Sequence, residues 1–393
     1  MQSGQTIAGK YRLNQPIGAG GMASVWSATN VFTERQFAIK FMHPQVAKTP
    51  EAARRFLMEA KVSARVNHPN IIDIIDVGQA EDGSLFMVME LLTGVSLETA
   101  MRRQSTPMQL SEFVGVMIDV ARALCAAHRN GVVHRDLKPT NIYLHMIREG
   151  VAVPKLLDFG VSKFLEEENH ALTVAGTVLG SPLYMSPEQA MGAEGIDGRT
   201  DIFAFGAILF EALCGYRAFD ASNFNALIVT IATKQPKSID VCGPDIPEPL
   251  RAIVRDCMVT DRKKRVATFD EIVDRLLVVL PDLEQSGQRL PVPKLSGPPS
   301  DPDATNALPV MRSDHPPKHP SQPPGVHLSS PPTPSPAANP PSAFSSPWAN
   351  DPQRTAITVI RPPPVALFIG LGAVIAVAAI GIVALVARRI APA

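Results

Sequence analysis

His134-Arg135-Asp136-Leu137-Lys138-Pro139-Thr140-Asn141, followed by Asp158-Phe159-Gly160, is the stretch whose reading decides the fold of this chain. Asp136, Asn141 and Asp158 set two acids and an amide at a spacing suited to a hydroxyl nucleophile and two Mg²⁺ ions around one phosphate chain. Phosphoryl transfer asks little covalent chemistry of a protein. It asks for in-line positioning and for cations on the developing charge. Asp-Phe-Gly alone carries no information, and each Asp or Asn taken singly suits a turn. The octapeptide and the tripeptide in this order are a specific signal.

Toward the N-terminus, Ile17-Gly18-Ala19-Gly20-Gly21-Met22-Ala23-Ser24-Val25 reads as a Gly-rich hairpin between two strands. Glycines there let the backbone approach phosphates closely. A dinucleotide-binding unit would need a helix after the glycines. Ser24-Val25-Trp26-Ser27-Ala28 reads as strand instead, with Val and Trp and no helical period. Phe37-Ala38-Ile39-Lys40 is a strand ending in a lysine. Residues 51–66 read as a helix, with Phe56, Glu59, Val62 and Val66 at three- and four-residue steps on one face. Glu59 is the acid in that apolar stripe. Residues 85–92 form an apolar strand that runs into a turn at Thr93-Gly94.

These motifs, together with the stretch from Gly176 to Glu188, resemble the eukaryotic-like (Hanks-type) Ser/Thr protein kinases, most closely their bacterial membrane-anchored members. The resemblance runs from about Tyr11 to about Leu280. It implies an α+β, bilobal protein-kinase fold, with a small β-rich N-lobe over about 11–90 and a larger helical C-lobe over about 91–280. It implies ATP as substrate and Mg²⁺ as metal, with Mn²⁺ able to substitute.

The resemblance also assigns roles. The Gly-rich loop, residues 17–25, covers the phosphates, with Ala23 where the family has a third glycine. Lys40 contacts the α- and β-phosphates and is held by Glu59. Val25 and Ala38 cover one face of adenine. Met89 guards the back pocket, and the backbone of Glu90 and Leu92 reads the adenine edge. Tyr143 stands at the pocket floor, where the family usually has Leu or Met. Asp136 orients the substrate hydroxyl, and Lys138 sits between that hydroxyl and the γ-phosphate, a lysine position of the Ser/Thr class. Asn141 and Asp158 hold the metal through hard oxygen ligands. Ser181 bonds Asp136 and Lys138, Glu188 pairs with Arg265, and Asp201 bonds back to the His134-Arg135 backbone. Arg135 before Asp136 points to an anion from the activation segment. Thr173 and Thr177 are the candidate phosphosites, where about two negative charges would order the loop.

Lys+Arg and Asp+Glu balance at 37 each, so the net charge of zero points to no nucleic-acid partner. Hydrophobic content of 45% supports a large core. Cys125, Cys214, Cys242 and Cys257 form no Cys-x-x-Cys pair and are expected as buried thiols in a reducing compartment. The first ten residues are polar, with no leader expected.

More than half of the 37 prolines fall between 281 and 364, in runs such as Ser329-Ser330-Pro331-Pro332-Thr333-Pro334. Such a segment buries too little apolar area to offset its ordering entropy. It is expected as a disordered tether, spanning roughly 50 Å as a flexible coil. Residues 365–387 carry no charge and no proline. A helix of about 22 residues rises roughly 33 Å against a hydrocarbon core of about 30 Å, so a single transmembrane helix is expected there. Arginines flank both ends of it, and the need for ATP places the kinase zone on the cytoplasmic side of a plasma or inner membrane. Protein substrates are the expected partners. Tethering to a surface favours phosphorylation in trans between two copies, hence a homodimer. The competing reading is a catalytically inactive kinase-like scaffold at the membrane.

Overall fold

The computed structural model describes residues 1–20, 23–43, 46, 50–103, 107–159, 182–243 and 245–291. The first lobe is a six-stranded antiparallel sheet. Its strands are β1 (Thr6–Ile7), β2 (Tyr11–Ala19), β3 (Ala23–Asn30), β4 (Gln36–Met42), β5 (Ile74–Gln79) and β6 (Leu85–Glu90), in spatial order β1-β2-β3-β4-β6-β5. Alternation of side chains gives this sheet two apolar faces. Leu13, Ala28, Phe37, Ile39, Phe41, Phe86 and Val88 pack on one face. Ile17, Val25, Ala38 and Met89 line the other, turned toward the second lobe. Helix α1 (Pro50–Arg65) lies on this lobe through Phe56 and Ala60, packed with Met42 and Met87. Of the expected stripe only Phe56 lies at the centre of the docking face, which continues through the buried Ala60 and Ser63, while Glu59 and Val62 are half-buried at its margin and Val66 is buried just past the end of the helix.

After a short β7 (Gly94–Ser96) and α2 (Leu97–Met101), the second lobe is helical. It comprises α3 (Leu110–Arg129), α4 (Pro187–Ala190), α5 (Arg199–Cys214), α6 (Phe224–Thr233), α7 (Glu248–Cys257) and α8 (Phe269–Ser286). Strands β8 (Ile142–Arg148) and β9 (Val151–Leu156) complete a three-stranded sheet with β7. Helix α5 is buried on every side over Thr200–Leu213, where Asp201 and Glu211 are the two charged residues among mostly apolar ones, and it lies in the core of this lobe. Gly206 permits its close approach to α7, because a Cβ there would lie 2.6 Å from the Cβ of Cys257.

Two expectations are corrected. The folded region does not stop at Pro281. That proline lies inside α8, which continues to Ser286, and Leu290 is buried beyond it. Proline removes one helical hydrogen bond, but Val279, Leu280 and Leu283 bury a continuous apolar face across it. The four cysteines are not all thiols either. Cys214 at the end of α5 is disulfide-bonded to Cys242, and only Cys125 and Cys257 are free. Cys214 and Cys242 lie 28 residues apart in sequence, but the loop through α6 returns and brings their Cα atoms to 5.3 Å.

The expected tether beyond Pro291, the expected span at 365–387, and the threonines Thr173 and Thr177 with Ser181 all lie outside the described residues. Among the described residues no helix is long and apolar enough to cross a membrane.

Candidate active site

The site forms where the two lobes meet, and its scaffold is built from backbone locks. Asp201, in the first turn of α5, accepts hydrogen bonds from the backbone N–H of His134 (2.8 Å) and of Arg135 (2.7 Å), and its Oδ2 meets His128 Nε2 at 2.8 Å. Burial works against its charge, but these donors hold the carboxyl below its ordinary value. Arg135 is thereby held at φ 62°, a left-handed conformation that a side chain rarely adopts unless its surroundings enforce it. Gln189 donates to the Arg135 carbonyl at 2.9 Å and fixes the same residue from α4.

His134 is fully buried, and burial lowers its pKa, which favours the neutral ring. Its Nε2 lies 3.0 Å from the Leu157 carbonyl, which can only accept, so Nε2 carries the proton. Nδ1 is then free to accept from the Asp136 N–H at 3.3 Å. The ring also packs against Phe159, centroids 4.9 Å apart. One imidazole therefore joins the 134–141 loop to the 158–159 segment.

The functional side chains converge on that scaffold. Lys138 Nζ lies 3.3 Å from Asp136 Oδ2. Asn141 Nδ2 donates to the Asp136 carbonyl (2.9 Å) and to Asp136 Oδ2 (3.2 Å). With its amide nitrogen so engaged, the Asn141 oxygen is the atom left for a cation. From the other lobe, Lys40 Nζ reaches Glu59 and Asp158, each at 2.9 Å. Asp158 sits at φ 43°, a second left-handed residue at the site.

The three charges tune one another. Burial opposes the Lys40 ammonium, but Asp158 and Glu59 outweigh it and raise its pKa. Burial drives Glu59 upward, and Asp158 adds to that against the pull of Lys40, so this carboxyl is pushed up to about 7. Asp158 is opposed by burial too, yet Lys40 holds it below its ordinary value. Lys40 therefore stays a cation, and Asp158 stays an anion fit to ligate a hard metal.

The base pocket expected above this cluster is apolar. Ile17, Val25, Ala38, Met89 and Leu92 form one buried group with Tyr143 and Leu157. Within the Gly-rich loop, Gly18, Ala19, Ala23 and Ser24 belong to the β2–β3 hairpin. Gly20 closes the turn with a hydrogen bond to the Ala23 carbonyl, and His43 holds the Gly20 carbonyl at 2.9 Å. Gly21 and Met22 lie outside the described residues. Glu188 and Arg265 pair as expected, at 2.7 and 3.0 Å.

Sequence reasoning missed His43, Gln189 and Lys155, whose Nζ holds the Glu90 carboxylate at 2.6 Å. Gln189 left a signal, because Ser186-Pro187-Glu188-Gln189 is a capping box. His43 and Lys155 act through contacts distant in sequence and left none.

The chain matches the protein kinase domain family over residues 11–277. It is 39% identical over 235 residues to the serine/threonine-protein kinase pkn3 of Myxococcus xanthus, covering 59% of this chain and 43% of that one. It is 30% identical over 314 residues to the serine/threonine-protein kinase PrkC of Bacillus subtilis, covering 80% of this chain and 46% of that one. The chain thus spans less than half the length of either relative. Among solved structures, the Mycobacterium tuberculosis PknI kinase domain superposes with a TM-score of 0.55 at 26% identity, over 71% of this chain and 99% of that one. With a family match over more than half its length, this chain belongs to the protein kinase domain family.

Proposed function

We propose that this chain is a Ser/Thr protein kinase that transfers the γ-phosphate of ATP to serine and threonine hydroxyls of protein substrates. The observation that carries this reading is the joint placement of Asp136, Lys138 and Asn141 on one loop, with Lys40 bridging Glu59 and Asp158 across the lobes. A scaffold has no use for all of these at once.

Each residue has a defined task. Asp136 accepts a hydrogen bond from the substrate hydroxyl and aims its oxygen along the line of attack. Lys138, 3.3 Å away, offsets charge between that oxygen and the γ-phosphate. Lys40, held as a cation, contacts the α- and β-phosphates and orients the chain of phosphates. The carboxylate of Asp158 and the amide oxygen of Asn141 are two hard donors, the set that suits Mg²⁺ completed by phosphate oxygens and water. A metal held by Asp158 and Asn141 would supply positive charge where the transferred group gains negative charge.

Residues 292–364 serve in this proposal as the tether and residues 365–387 as a single membrane span, with the kinase domain on the cytoplasmic side of the inner or plasma membrane. Confinement to a surface raises the local concentration of copies and favours phosphorylation of Thr173 and Thr177 in trans, within a homodimer. The support is the composition of those segments and the expectation attached to Arg135.

The full chain incubated with labelled ATP and Mg²⁺ is expected to label itself and a generic protein substrate on Ser and Thr. Asp136→Asn is expected to lose that label. Equal label in both proteins, or none in either, refutes the kinase reading.

A further inference from the structure

Strands β8 and β9 pair antiparallel, with Tyr143 directly opposite Lys155. Residues opposite each other in such a pair project from the same face, with Cβ atoms roughly 5 Å apart. Here both side chains reach the connection between the lobes. The Tyr143 hydroxyl donates to the Gly94 carbonyl at 2.9 Å. Lys155 Nζ binds Glu90 Oε1 at 2.6 Å, and the same carboxylate oxygen accepts from the Asp73 N–H at 2.9 Å. The two ends of residues 90–94 are therefore each held by one member of a single cross-strand pair.

The environment makes both contacts firm. Tyr143 is 0% exposed, within the apolar group that includes Val25, Ala38 and Leu92. Burial pushes its phenol up to about 12, so the hydroxyl keeps its proton and donates throughout the physiological range. The Lys155 and Glu90 side chains are 13% and 25% exposed. Gly94 has φ 137°, and a Cβ there would collide with the Leu144 carbonyl, so the backbone is pressed against β8 where the phenol bonds it. Leu92, whose amide is expected to read the base edge, lies midway between the two attachments.

We propose that Tyr143 and Lys155 are positioning residues that clamp residues 90–94 at both ends and so set the place of the backbone that recognises the nucleotide base. The inference rests on the kinase reading above. A leucine at 143 could fill the pocket floor but could not make the Gly94 bond, so the tyrosine couples floor and connection in a way an apolar residue cannot. The clamp acts on base recognition and leaves the phosphate-side cluster of Lys40, Asp136 and Asp158 untouched.

The test uses the full chain and the variants Tyr143→Phe, Lys155→Met and Lys155→Arg. Each of the first two is expected to raise KM for ATP roughly threefold to tenfold, the range of one lost hydrogen bond, with kcat within about twofold. Inorganic tripolyphosphate, a competitor without a base, is expected to inhibit wild type and variants equally. Lys155→Arg, which keeps the cation, is expected to restore the wild-type KM. An unchanged KM for ATP in both variants overturns the clamp, as does a parallel loss of tripolyphosphate inhibition. Should Tyr143→Phe fail to fold, Lys155→Met and its arginine rescue decide the matter alone. A wild-type chain that transfers no phosphate removes the kinase reading instead, so the two failures are distinct.

Discussion

Replacing Arg265 by methionine is expected to be among the most destabilising single changes in this chain. The guanidinium is 0% exposed and has five N–H groups, and the structure provides five acceptors. Nε donates to the Val259 carbonyl, Nη1 to Glu188 and the Arg199 carbonyl, and Nη2 to Glu188 and the Thr260 carbonyl. Its carbon also lies 4.9 Å from the centre of the Phe203 ring. Methionine fills a similar volume but leaves the Glu188 carboxylate, 7% exposed, without its counter-charge.

Breaking one half of a buried pair costs about 3–5 kcal/mol, whatever the intact pair is worth against an apolar replacement. For a domain of this size that corresponds to a fall of roughly 6–20 °C in Tm. Arg265→Lys should lose most of the same free energy, because an ammonium has three donors and no planar fork. The double variant Glu188→Gln with Arg265→Met should recover part of the loss, since no buried charge is then left alone. The assay is denaturant unfolding of the full chain, comparing midpoints at constant slope. A loss below about 1 kcal/mol for Arg265→Met would refute the reasoning, and so would a double variant that loses the sum of the two single changes.

Four further outcomes follow from the geometry. Glu59 has its pKa raised from 4.5 to about 7, so its protonated form is favoured in the folded state. Its contribution to stability is complete below about 4.5 and is lost as pH rises through about 7, whereas the ion pair with Lys40 exists only above that range. Transfer should therefore rise between pH 6 and 8 with an ascending limb near 7, and a flat profile over that range would contradict this. Asp136→Asn should lower kcat by about 10²–10⁴, measured by labelled phosphate incorporation, with the fold intact by circular dichroism. Asp201→Ala releases the N–H groups of His134 and Arg135 and should lower kcat by at least about tenfold with less effect on KM for ATP, tested by steady-state kinetics. The Cys214–Cys242 bond closes a loop of 28 residues, so its reduction should cost roughly 3–4 kcal/mol in the chain-entropy picture. Melting with and without dithiothreitol measures it, and alkylation of all four cysteines in unreduced, denatured protein would exclude the bond.

The residues of the site were legible because their signals are local. A helix face shows as a three- and four-residue period, so Glu59 was readable on the inner stripe of α1 before any contact was known. A Gly-rich turn followed by strand residues separated a hairpin from a dinucleotide unit over nine positions. The order of the motifs then named Lys40, Asp136, Asn141 and Asp158. Pro281 misled because the boundary was drawn from the proline-rich composition that follows it, whereas burial of Leu283 and Leu290 continued the fold past it.

What tertiary structure alone decided lies in contacts between residues far apart in the chain. Lys40 meets Asp158 across 118 positions, and that contact, with the burial of Glu59, shapes the protonation of the three clustered charges. Cys214 meets Cys242 because the loop through α6 returns to the end of α5. Tyr143 and Lys155 hold opposite ends of residues 90–94 because strand register sets them side by side. Register and loop return depend on how whole elements pack. No local period encodes them, so the sequence by itself determined which residues to expect together at the site, and the tertiary structure determined which residues hold them in place.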